Sequence, residues 1–169
     1  MQGSLAATAM LIGFVFVLAA MVVGYGIAVS SALKHARRKA EGAWQALEAA
    51  LQRRNQLTGE LAAALDRDQA RVAEVQRLAA EAKSVRLHAE ADRAMRAVVT
   101  DLARTGEGDA ALRAELEAAE SALDQASADY NAAVRKLNTV ITTFPSNVMA
   151  GFMGLLPLST FPPDAPESR

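Results

Sequence analysis

Few residues in this chain are of a type and spacing that could do chemistry. His88 and Asp92 stand four apart, on one face of any helix that carries them, a spacing that can hold a metal ion. Two ligands without a second pair fall short of a site, so a solvated pair is the expectation. The other histidine, His35, lies in a basic run. Cysteine is absent, which removes thiol catalysis, disulfides and thiolate metal sites. Ser, Thr and Tyr occur without a nearby base to activate them. No glycine-rich phosphate loop, nucleophile elbow or Glu-x-x-His pattern appears. The reading is a non-enzyme, with no catalytic residue, no metal ligand set and no cofactor.

Two polar groups remain to be explained. Tyr130, Asn131 and Asn138 fall in "DYNAAVRKLNTVITTFPSN", which ends in Phe144, Pro145 and Asn147. Tyr130 suits an aromatic core residue whose hydroxyl finds one partner, or else a ligand contact. Asparagine costs helix propensity, so Asn131 and Asn138 need a reason. Interhelical hydrogen bonding that fixes register is one, and partner binding is the other. Arg53 and Arg54 could donate to those amides or to a carboxylate, or stand solvated.

The elements that position these residues are helical. Alanine fills 38 of 169 positions, and all five prolines lie at or beyond Pro145. A first segment from about 31 to 65 carries Trp44, Leu47, Leu51, Leu61 and Leu65 on one seam, interrupted at Arg54 and Thr58. "LDRD", 65–68, is a reversal. A second segment covers 67–104, with its stripe shifting phase between Leu87 and Asp92, where a break is expected. "TGEGD", 105–109, is the next turn. The third segment, 110–143, has a seam from Leu112 through Leu116, Leu123, Tyr130 and Leu137 to Phe144, in alternating steps of four and three. Such a stripe needs other helices to cover it.

Residues 1–33 carry no charge, and the apolar run from Leu5 to Val29 exceeds the roughly 20 residues that a spanning helix needs. A cleaved signal would want a basic start and a shorter core. Lys34, Arg37, Arg38 and Lys39 follow at once, and the positive-inside rule puts that flank in the cytoplasm. The expected class is therefore all-α. It has a short N-terminal end (1–4), one transmembrane helix (5–30), an antiparallel bundle (31–145) and an apolar, then Pro-rich tail (146–169). The bundle has three long helices, or four if the middle one breaks. In up-down-up order the first and third segments run parallel, with Tyr130 and Asn131 beside Leu51 to Arg53. The tail then begins far from the bilayer, and "PPDAPESR" is expected to be disordered.

Two stretches, "AWQALEAALQRRNQL" (43–57) and "ADYNAAVRKLNTVITTFPSNVMAGFMG" (128–154), together resemble the LemA family of bacterial membrane proteins. Trp44, Arg53 and Arg54 match the first motif of that family. Tyr130, Asn131, Asn138, Phe144, Pro145, Asn147 and Ala150 match the second. Two departures are "LTGEL" after the arginine pair and a middle region shorter than usual. The resemblance implies a bundle anchored by one N-terminal helix in the bacterial cytoplasmic membrane, single-pass, N-terminus outside, with no established enzymatic activity. A membrane-tethered scaffold or adaptor follows. It would contact the lipid bilayer and bind unidentified protein partners through the bundle surface or the apolar tail, with a homo-oligomer allowed. A net charge of −1 gives no footprint for nucleic acid. The alternative is an extended stalk resembling the membrane-anchored b subunit of ATP synthase.

Overall fold

A computed structural model describes residues 2–104 and 110–162, apart from the side chains of residues 2–9, 11 and 22. Among these residues the chain forms α1 (Gln2–Ala64), α2 (Gln69–Glu81), α3 (Val85–Arg104), α4 (Ala110–Thr142) and a short α5 (Ser146–Phe152). The expected turn at 105–109 and most of the Pro-rich end lie outside the described residues.

The all-α expectation holds, but the middle segment is two helices, and that changes the topology. The break falls at Ala82–Ser84, a few residues before the expected place. Ala82 turns extended, and Ser84 Oγ accepts the Leu87 N–H at 3.3 Å, capping α3. Helices α2 and α3 therefore run antiparallel, joined by Arg71–Asp101 at 2.9 Å. With one extra reversal α4 comes back antiparallel to α1. Leu57 and Leu61 share a core with Leu116 and Ala119, while Leu33 and Ala36 share one with Leu137 and Ile141. The order is up-down-up-down. The parallel pairing of first and third long segments is thus wrong, and so is the register that placed Asn131 beside Arg53. Helices that fold back in this way also do not make an extended stalk.

The reversal at "LDRD" is as expected. Asp66 adopts φ 50°, a left-handed conformation that Asp tolerates better than most side chains. It closes α1 with Arg67 N–H to Ala62 O at 3.0 Å and Asp66 N–H to Ala63 O at 3.2 Å.

Helix α1 is one unbroken element. Its first half exposes Met10, Phe14, Phe16 and Met21, each more than 60% accessible. Its second half is bundle core. The bundle portion spans 34 residues, about 50 Å at 1.5 Å per residue. The core forms three stacked clusters. The upper one joins α1, α2, α3 and α4, the middle one centres on Leu47, Leu123, Tyr130 and Phe161, and the lower one joins α1, α4 and α5.

Candidate functional site

The asparagines of α4 bind the tail, not another helix. Asn138 Nδ2 donates to Leu158 O at 2.8 Å, and its Oδ1 accepts the Leu158 N–H at 2.9 Å. Asn131 does the same for Phe161, at 2.6 Å in both directions. Each amide thus replaces the partner strand that one tail residue would need. The spacing has a geometric reason. Seven residues of helix rise about 10.5 Å, and the three steps from 158 to 161 in extended chain cover about 10 Å. Two asparagines two turns apart therefore match alternate ends of an extended tripeptide step. Tyr130 Oη donates to Ser159 O at 2.9 Å, and Ser127 Oγ to Phe161 O at 2.9 Å. The interhelical reading of the two asparagines is corrected accordingly.

This clamp delivers Phe161 into the middle core, where it is 1% exposed. Trp44 is the hub there. Its ring meets His88 at 5.2 Å, Tyr130 at 5.3 Å and Phe161 at 6.5 Å, all edge-to-face. Burial raises the Tyr130 phenol above its ordinary value. His88 is thus an aromatic packing partner rather than half of a solvated pair.

Asp92 is the other half of that expectation, and it belongs to an ion cluster one level up. Arg54 is 0% exposed. Its Nη2 donates to Asp92 Oδ1 at 2.7 Å, Nη1 to Glu120 Oε1 at 3.3 Å, and Nε to Asn55 Oδ1 at 3.1 Å. Arg96 closes the cluster from its open side, touching Asp92, Glu120 and Asp124. Its guanidinium feels burial first, which lowers its pKa, but the carboxylates outweigh this and the net shift is upward. One turn above, Thr58 Oγ1 donates to Arg54 O at 2.8 Å. The polar gap in the α1 seam is thus filled by a charge that ties α1, α3 and α4 at one height. Arg53 faces outward instead and pairs with Glu115 at 3.0 Å, an exposed contact of small energetic weight.

The motif's end lies opposite to where the sequence suggested. Phe144 is not on the seam but 77% exposed. Thr143 and Phe144 stand at the level of Val29 and Leu33, since Leu137 and Ile141 pack there. Pro145, with no N–H to continue the ladder, ends α4. Asn147 is exposed on α5, its backbone N–H bonded to Thr143 O at 3.0 Å. Ala150 is buried against α1 and α4. The flank residues Lys34, Arg37, Arg38 and Lys39 are exposed, Arg37 pairing with Glu41 at 2.8 Å.

Beside the clamp, α1 and α4 leave an open groove of about 970 Å³, lined by Ala36, Ala43, Ala122, Ala126 and Ala133 and by the two lysines Lys39 and Lys136. Helices α2 and α3 contribute no residue to its lining.

The fold and its clamp define a class: a helical bundle grown from a single apolar helix, whose tail is fastened to its last long helix. The LemA family model matches residues 43–169, and the chain belongs to that family. Comparison with curated proteins and with solved structures found no match.

Proposed function

We propose that this protein is a membrane-tethered, non-enzymatic scaffold of the LemA type. One observation carries the tether. The first half of α1 holds large apolar side chains open to solvent, and the same helix continues unbroken into the bundle core. Nothing else in the described chain covers those side chains, and the helix is long and apolar enough to cross a bilayer. A bundle on the cytoplasmic side of the bacterial inner membrane is part of this reading, supported by the basic flank Lys34 to Lys39 under the positive-inside rule.

The scaffold reading rests on the groove between α1 and α4. Small side chains on both walls let a third helix approach closely. A protein partner supplying one helix fits it. The test is a photo-crosslinking residue at Ala122 or Ala132, compared with one at Arg86 on the far side, in intact membranes. The reading expects discrete protein adducts from the groove positions, lost when Ala126→Arg fills the groove. Adducts from the groove no different from those at Arg86 would end it. Adducts only to a second copy of the chain would make the partner the protein itself.

A further inference from the structure

The antiparallel return of α4 brings the apolar tail to the foot of the bundle. Helix α5 packs on α1 where the apolar run gives way to charge. A Cβ added at Gly26 would meet the Met149 methyl at 3.7 Å. Gly26 lies three residues inside the end of the run at Val29, about 4.5 Å along the helix. On the outside of this turn stand Phe144, Val148, Phe152 and Leu156, spaced by four, at 77%, 52%, 85% and 78% accessibility. Gly154, at φ 63°, holds the turn shut through Leu155 N–H to Ala150 O at 3.0 Å and Gly154 N–H to Gly151 O at 3.1 Å. The apolar row is therefore presented by a formed structure.

Charge at this level is mostly basic, Glu41 being paired to Arg37. Lys34, Arg37, Arg38 and Lys39 on α1 face the same layer as Arg135 and Lys136 on α4. From Asn131 to Pro162 there is no acidic residue. Tyr25, 51% exposed, adds an aromatic ring at the same depth. Apolar side chains below and a basic collar above are what a headgroup–acyl boundary takes up.

We propose that the α5 turn docks into the bilayer that α1 crosses, with Phe144, Val148, Phe152 and Leu156 among the outermost acyl carbons and the collar against lipid phosphates. This rests on the tether reading above. The bundle is then held to the membrane at two points, the span and the turn, and its tilt is set by both. Continuity decides for lipid over a protein partner, since α5 packs on α1 at Gly26, inside the apolar run itself.

The absence of cysteine makes the test direct. The full chain is reconstituted in vesicles of phosphatidylcholine with phosphatidylglycerol. It carries one cysteine with an environment-sensitive fluorophore at Phe152, at Val148 or Leu156 as independent positions, at Val17 in the span, or at Arg86. Lipids brominated near the glycerol end of the chain should quench the labels at 148, 152 and 156, lipids brominated near the methyl end should quench Val17 at the middle of the Leu5–Val29 run, and iodide in the buffer should quench none of them. The Arg86 label should do the reverse. Iodide access without lipid quenching at all three turn positions overturns the proposal. Shielding from both also overturns it, because protein then covers the turn. If Val17 escapes lipid quenching too, the tether has failed and the docking falls with it. If Val17 is quenched and the turn is not, the docking alone has failed.

Discussion

Removing the Asp92 carboxylate should unfasten the bundle more than removing the arginine it holds. Arg54 is wholly buried, and its shortest contact is the 2.7 Å bond to Asp92. Asp92→Ala leaves the guanidinium inside with Glu120, which is 24% exposed and already shared with Arg96 at 3.5 Å. An under-compensated buried cation costs about 3–5 kcal/mol. Arg54→Met takes the cation away and fills much the same length, while Asp92 keeps Arg96 at 3.1 Å. Its cost should be about 1–2 kcal/mol, and the pair Arg54→Met/Asp92→Leu should return to within about 1–2 kcal/mol of the parent. Urea unfolding of the full chain in detergent reads all three through the emission of Trp44, the one tryptophan. Because a typical domain is stable by only about 5–15 kcal/mol, Asp92→Asn serves as the milder variant and should fall between. If Asp92→Ala costs less than the double substitution, Arg54 is not held as a buried charge and the reasoning fails.

Other consequences follow from the clamp and the aromatic hub. Asn131→Ala removes both bonds to Phe161 and should cost about 1–3 kcal/mol, with hydrogen exchange speeding at the Leu158 and Phe161 amides ahead of the rest of the chain. Phe161→Ala opens the middle core and should cost about 3–5 kcal/mol, shifting Trp44 emission to the red. Tyr130→Phe loses one bond to Ser159, about 1 kcal/mol by urea unfolding. It should also flatten the alkaline limb. The folded phenol titrates above the unfolded one, so its stabilisation is full below about pH 10 and is lost as pH rises through the folded value.

Much of this was legible in the sequence, and the misses have physical reasons. The α4 seam was read correctly from Leu116 to Leu137, because a long regular stripe leaves one solution. The long apolar start of α1 and the "LDRD" reversal were equally plain. The break at Ala82–Ser84 was misplaced because polar residues near His88 suggested a gap, whereas Asp92 is polar to meet Arg54 inside. Only Ser84 marked the true cap. That small error inverted the topology, since one added reversal turns α4 around. The role of Asn131 and Asn138 was hidden for another reason: their partners are backbone groups of the tail, which no side-chain pattern records. Their seven-residue spacing was the available signal, matching an extended chain laid along the helix.

The central claim is the direction of α4, which places the Phe-Pro end at the foot of the bundle. Spin labels at Ser31 and Thr143 of the full chain, both exposed, measure it by dipolar coupling. The account predicts neighbouring helices, with backbones roughly 10 Å apart. Labels at Glu60 and Thr143 should lie about 45 Å apart, the rise of the 29 residues between positions 31 and 60. A short distance for Glu60 and Thr143 with a long one for Ser31 would contradict it.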